Sequence, residues 1–261
     1  MLMRFAACVE YDGAGFFGWQ RQAEGRTVQA CVEQAISKVA DHSIKVFCAG
    51  RTDTGVHATG QVIHFDTQVE RPTINWLRGT NANLPDDISV QWLTGMDDSF
   101  HARFSATQRY YRYVIYNHAS RPALLRNHVC WQHRELDAGT MDLAGKYLLG
   151  EHDFTSFRAA ACQARSPVRT IHSLEVTRSG HFIYIDVIAN AFLHHMVRCI
   201  AGVLMKIGCG DQPPLWVSEL LQVRDRRVSG INASPAGLYL IEVRYPGHFK
   251  VPSRTRLPVF G

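Results

Sequence analysis

The order in which hydrophobic periods change along the first third of the chain restricts its fold to few topologies. Residues 4–12 alternate Phe5, Ala7, Val9 and Tyr11 with polar or small neighbours, the period of a half-buried strand. Thr27 stands where an N-cap belongs, and residues 28–40 carry apolar side chains at 28, 31, 32, 35, 36 and 39, one face of a helix. Two strands follow, 44–49 and 61–65, separated by a polar, glycine-punctuated loop. Pro72 opens a second helix over 72–81, Leu84-Pro85-Asp86-Asp87 makes a turn, and 88–93 reads as a strand. Strand–helix–strand–strand–helix–strand is the ferredoxin-like pattern, an antiparallel sheet with two helices on one face. RNA-recognition modules use the same sheet topology.

The remainder repeats that order with longer decorations. Residues 107–117 form a strand with Tyr111, Tyr113 and Ile115 on one face and Tyr110, Arg112, Val114 and Tyr116 on the other. Asp137 caps a helix over 138–149 that ends at Gly150, and 151–157 reads as a loop. Residues 159–166, flanked by Arg158, Arg165 and Arg169, read as a mobile basic connection. A hairpin of 168–178 and 180–188 turns at Ser179-Gly180. Apolar residues 192–208 form a helix, 215–222 another, and 238–245 a last strand. The expected architecture is α+β: two ferredoxin-like, RRM-like halves, residues 1–105 and 106–261, with their mixed, mainly antiparallel sheets joined and helices on one face.

At 261 residues, with 46% hydrophobic and 20% charged side chains, the chain suits a soluble globular protein. No apolar run reaches the roughly 20 residues of a membrane span, and the N-terminus lacks a signal-peptide layout. Seven scattered cysteines without a Cys-x-x-Cys pair point to a reduced, cytoplasmic setting. Only five of the 28 basic residues are lysines (38, 45, 146, 206 and 250), so the net charge of +5 is carried by arginine. Arginine suits bidentate phosphate contacts and stacking on bases, although a GC-rich genome also favours it. No phosphate loop or dinucleotide fingerprint is present. His194 and His195 are adjacent, which on a helix sets them about 100° apart and unable to share a metal as an i, i+4 pair does.

Chemistry concentrates in Cys48-Ala49-Gly50-Arg51-Thr52-Asp53-Thr54-Gly55-Val56-His57-Ala58-Thr59-Gly60-Gln61-Val62. Its glycines permit close backbone approach, and Asp53 is its one carboxylate, two residues after Arg51. An aspartate there serves either as an Asx-turn acceptor or as a reactive group presented at a sheet rim. Residues 11–22 interleave glycines, aromatics and arginine, as an RNA-contacting loop or as a turn with its rings in the core. Tyr110-Tyr111-Arg112-Tyr113 fits core packing or a stacking platform for an extruded base. Arg198, set among Phe192, Leu193, Met196, Val197, Ile200, Ala201 and Val203, requires a carboxylate, because a lone buried charge is costly. Asp53 is the economical candidate, with Asp153 and Asp186 as alternatives.

These blocks resemble the A-type tRNA pseudouridine synthases over nearly the whole chain. The resemblance rests on Tyr11-Asp12-Gly13 with Phe16, Gly18-Trp19-Gln20, Arg26-Thr27-Val28-Gln29, Gly50-Arg51-Thr52-Asp53-Thr54-Gly55-Val56-His57-Ala58 and Phe100-His101-Ala102-Arg103-Phe104-Ser105-Ala106. It continues in Tyr111-Arg112-Tyr113, Asp153-Phe154-Thr155-Ser156-Phe157, Phe192 with His195-Met196-Val197-Arg198, and Gly237-Leu238-Tyr239-Leu240. It implies isomerisation of uridine to pseudouridine at tRNA positions 38, 39 and 40, in the anticodon stem-loop. Asp53 would be the catalytic aspartate, Arg198 its partner, Arg51 the side chain that helps extrude the nucleotide, Tyr111 the ring stacked on the base and Leu238 a pocket wall. A homodimer with tRNA across both subunits, engaged at anticodon stem-loop and elbow through a central RNA-binding cleft, is also implied. Neither metal nor organic cofactor is expected. Whether Asp53 attacks covalently at C1′ or C6 or abstracts the 2′-proton stays open.

Overall fold

The computed structural model describes residues 2–160, 162–229, 231–253 and 255–260. In chain order its longer elements begin β1 (Met3–Tyr11), α1 (Val28–Ala40), β2 (Phe47–Cys48), β3 (His57–Thr67), α2 (Thr73–Asn83), β4 (Ile88–Met96), β5 (Gln108–Asn117) and β6 (Cys130–Gln132). They continue α3 (Ala138–Lys146), β7 (Gly150–Asp153), β8 (Val168–Ser179), β9 (Phe182–Ala189), α4 (Met196–Gly208), α5 (Trp216–Val223), α6 (Arg226–Ser229) and β10 (Leu238–Arg244). The chain forms two compact units, residues 1–107 with 240–257, and residues 108–239 with 258–261. Both combine helices with mainly antiparallel strands, an α+β fold.

In the first unit the strands run β4-β1-β3-β10, with β2 on β3. The β4-β1-β3 order and the two helices match the ferredoxin-like expectation. Phe5 of β1 and Phe65 of β3 stack at 5.6 Å, and Trp76 of α2 closes on both at 5.7 and 5.6 Å, forming the core between sheet and helices. The alternation in β1 was expected to leave one face solvated, yet Ala6 and Cys8 are buried as well as Ala7 and Val9. The far face is covered by the C-terminal segment: the Arg256 carbonyl accepts from Thr59 Oγ1, and its guanidinium reaches Gln91 at 2.8 Å.

The strand expected at 44–49 shrinks to two residues for a traceable reason. The N–H groups of Ile44 and Val46 donate to Ser37 and Glu33 of α1 at 2.9 and 3.1 Å, so a helix takes bonds that a ladder would have used. Thr27 is the N-cap of α1 in position only, because its side chain makes no capping bond. Pro72 precedes α2 as its cap, not as its first residue.

In the second unit the order is β5-β9-β8-β7, with β6 parallel to β5. The hairpin of β8 and β9 pairs Ser179 with Phe182, close to the expected turn. Residues 151–157 are not a plain loop: β7 pairs with β8, and residues 155–157 form a 3-10 turn. Helix α4 starts at Met196, not at residue 192, because His195 takes the left-handed conformation at φ 65° and breaks any helix before it. No helix of the described residues is long and apolar enough to cross a membrane.

Candidate active site

The aspartate loop lies in the first unit, between β2 and β3. Its backbone is held from several sides. Ala49 N–H donates to the Val62 carbonyl at 2.8 Å, and the buried Gln61 amide donates to the Gly50 carbonyl at 2.5 Å. Thr52, immediately before the aspartate, is fixed twice: its hydroxyl meets the Tyr11 hydroxyl at 2.8 Å, and its carbonyl accepts from Trp19 N–H at 3.0 Å. The Asp53 carbonyl accepts from Val56 N–H at 3.1 Å, closing a turn. His57 Nδ1 lies 3.0 Å from both the Gly13 N–H and the Asp12 carboxylate, tying the end of the aspartate loop to the start of the glycine-aromatic segment. Asp53 is half-buried and Arg51 exposed.

The glycine-aromatic segment 11–22 has a definite task here. Gly18 sits at φ 80°, and a Cβ on it would lie 2.7 Å from the Thr52 carbonyl oxygen. A Cβ on Gly13 would lie 2.0 Å from the Val56 carbonyl oxygen. Both glycines let one loop's backbone press directly on the other's, so the aspartate rides on two interlocked loops. Phe16 and Trp19 are buried, which is the core reading, while Phe17 is exposed at 55%.

The second unit carries the other expected residues. Tyr111 is buried on β5, its ring meeting Phe192 edge to face at 5.0 Å. On the opposite face of β5, Arg112 grips both oxygens of Asp186 at 2.8 Å, and the Tyr110 hydroxyl donates to the same carboxylate. Burial, chiefly, and then Asp186 push the Tyr110 phenol well above its usual value. Asp186 is therefore committed to Arg112 and Tyr110. Asp153 accepts from Thr155 N–H at 2.8 Å and lies 3.7 Å from Arg224.

Arg198 is half-buried in the first turn of α4, not in the interior of a helix as the apolar run suggests. Its Nε donates to the Ala233 carbonyl at 2.9 Å, and its carbonyl accepts from Ala233 N–H at 3.2 Å. Next along the chain, the Ser234 carbonyl accepts from the buried Tyr113 hydroxyl at 2.8 Å. Burial, chiefly, drives the Tyr113 phenol far up, against the opposing pull of the Arg198 charge. The 3-10 turn of residues 235–237 then delivers buried Leu238 into β10. His194 and His195 precede α4, their ring centroids 4.1 Å apart, so the expected 100° separation on a helix does not describe them.

The sequence motifs nominate Asp53, Arg51, Tyr111, Arg198 and Leu238 as site residues but not the side chains that hold the Asp53 loop. Tyr11, Thr52 and His57 stood inside the quoted blocks without a role, because their partners are distant in sequence.

Comparison with known proteins bears on these loops and strands together. The family model described as tRNA pseudouridine synthase matches residues 7–105 and 144–246. A protein of Shewanella sp. (strain MR-4) named tRNA pseudouridine synthase A is 55% identical over 258 residues, 99% of each chain. Another so named, from Shewanella denitrificans (strain OS217 / ATCC BAA-1090 / DSM 15013), is 56% identical over 258 residues, again 99% of each. A chain of a solved Cbf5-Nop10-Gar1 complex aligns at TM-score 0.36 and 11% identity, covering 92% of this chain and 58% of its own. That likeness is too loose to carry weight. The family match spans most of both units and includes the Asp53 loop and α4, and the relatives run nearly end to end; the chain belongs to the tRNA pseudouridine synthase family.

Proposed function

We propose that this tRNA-uridine isomerase of the pseudouridine synthase family acts on neighbouring uridines at the 3′ side of the anticodon stem-loop, with Asp53 as its catalytic carboxylate. The reaction breaks the N1–C1′ bond, turns the uracil and joins C5 to C1′. It is an internal rearrangement and consumes no co-substrate. A stacked base is out of reach, so the nucleotide is flipped into a pocket at a cost of a few kcal/mol. Tyr111 recovers about 1–3 kcal/mol by stacking, Arg51 helps extrude the nucleotide and fills its place, and Leu238 lines the pocket.

Asp53 acts as an anion, either as the nucleophile or as the base for the 2′-proton. Arg198 is its cationic partner. Two facts support that pairing. The alternative carboxylates, Asp153 and Asp186, are engaged by other groups of their own unit. Arg198 also stands on the first turn of α4, where the helix dipole is positive and a carboxylate partner is favoured. The enzyme works in the cytoplasm as a homodimer, with tRNA engaged at anticodon stem-loop and elbow.

The observation that carries this reading is the half-buried aspartate held on two interlocked loops within the segment that the family model matches. Asp53→Asn tests it. Pseudouridine formation in unmodified tRNA should vanish while tRNA affinity stays within about threefold, since binding rests on arginine–phosphate contacts. Normal turnover by the Asn variant overturns the role. Release of free uracil, in place of RNA of unchanged mass, would mark a hydrolase. Mapping pseudouridine in tRNA from cells lacking the protein tests the target positions.

A further inference from the structure

Outside the aspartate loop, the first unit exposes a group of rings that core packing does not explain. Phe47 is 50% and Phe104 is 76% exposed. Each is backed by a histidine: Phe47 lies on His64 at 5.0 Å and 20°, and Phe104 on His101 at 4.4 Å and 34°. The two histidines meet at 4.5 Å, so four rings form one continuous array. The outer rings are held in place. His101 Nδ1 accepts the N–H groups of Arg103 and Phe104 at 3.1 and 3.2 Å, which fixes the turn carrying Phe104. His64 Nδ1 accepts from Ala102 N–H at 3.2 Å, tying that turn to β3.

Cations surround the rings. The Arg103 guanidinium sits 5.6 Å from the Phe104 ring centroid. Arg51 follows Cys48 by three residues on the same segment, and Arg103 directly precedes Phe104 on the other. The two contributing segments, 47–52 and 100–106, contain no acidic residue. Phe47 and Cys48 lead through residues 49–52 directly to Asp53.

We propose that Phe47, Phe104, Arg103 and Arg51 form a stacking platform for the unpaired nucleotides of tRNA that neighbour the extruded uridine. The proposal rests on the reading of this chain as a tRNA-modifying enzyme. Exposed rings with π-faces accept any base, and adjacent guanidinium groups meet the phosphates between successive bases. A second copy of the chain could cover an apolar patch, but a cation beside an exposed ring and the absence of acidic residues from the two segments that carry the outer rings favour a polyanion that carries bases. Splaying out one nucleotide unstacks the next, and a ring beside the catalytic loop compensates for that loss.

The test measures equilibrium binding of unmodified tRNA transcript by the full chain in the Asp53→Asn background, where no turnover intervenes. Phe47→Ala and Phe104→Ala should each weaken binding by about 5- to 100-fold, with the slope of affinity against salt unchanged. Phe104→Trp should keep the parent affinity. Arg103→Met should weaken binding and reduce the salt slope by about one phosphate contact. Because the rings are exposed, the melting temperature should stay within about 2 °C of the parent in all four variants. Parent-like affinity in both alanine variants overturns the platform. So does loss of dimer by light scattering with tRNA affinity intact, which would assign the patch to a second copy. If the unsubstituted enzyme forms no pseudouridine in tRNA, the substrate reading itself has failed; if it does and the alanine variants bind normally, only the platform has.

Discussion

Asp53 occupies a fixed position because Thr52 beside it cannot move, and two contacts make that so. One is the 2.8 Å bond between the Thr52 and Tyr11 hydroxyls. Tyr11→Phe leaves a buried hydroxyl without its partner and should cost about 1–2 kcal/mol of stability by denaturant unfolding. Turnover should fall with the KM for tRNA unchanged, since the substitution acts on the aspartate's placement and not on RNA contacts. Tyr11→Phe combined with Thr52→Val replaces both polar partners and should recover most of the stability without restoring turnover. A Tyr11→Phe enzyme with full kcat would sink this account. The other contact is Gly18, at φ 80° with no room for a Cβ before the Thr52 carbonyl. Gly18→Ala combines a backbone penalty of about 1–2 kcal/mol with that overlap, and should lower both melting temperature and kcat. Asp53 and Arg51 stand out as candidates in one short block, whereas Tyr11 reads in sequence as the last inward residue of a strand and the start of a glycine-aromatic segment, with no sign of its partner. Its role depends on a partner 41 positions away, and no local period encodes such a distance.

At the scale of elements, β3 carries a histidine whose protonation the fold opposes. Burial, chiefly, then His101 and Arg4, lower the His64 imidazole to about 4, with Asp66 pulling the other way. A histidine depressed in the folded state binds its proton more readily when unfolded, so between about pH 6.5 and 4 the unfolded chain gains protons first. The stabilisation from the neutral ring is complete above that window and is lost as pH falls through it, on the order of 3 kcal/mol at most. His64→Phe should therefore flatten the acid limb of the stability curve measured by denaturant unfolding from pH 7 to 4; an unchanged limb refutes the assignment. Elements announced by a strong period were legible, α1 to the residue and the β8–β9 hairpin nearly so. Those that failed were decided by side-chain competition or by a single dihedral. Glu33 and Ser37 take the N–H groups of the expected strand at 44–49, and the left-handed His195 delays α4 by four residues. The short edge strand β7, Gly-Glu-His-Asp, has no apolar alternation to reveal it.

At the scale of the whole molecule, a net charge of +5 carried almost entirely by arginine sets how the enzyme meets a polyanion. Each phosphate neutralised releases counterions, so the logarithm of affinity falls linearly with the logarithm of salt, by about 0.9 per contact on duplex and about 0.7 on single strands. About six contacts would weaken tRNA binding roughly a thousandfold between about 50 and 200 mM salt. Chemistry at saturating tRNA obeys a different rule. The Asp53 loop is fixed by hydrogen bonds and backbone packing within its own unit, and bulk ions screen buried pairs poorly. The single-turnover rate with enzyme in large excess should therefore change less than threefold over the same range, while kcat/KM follows the binding curve. Parallel loss of single-turnover rate and affinity would show that salt reaches the Asp53 carboxylate itself, and the separation of binding surface from rigid loop would have to be abandoned.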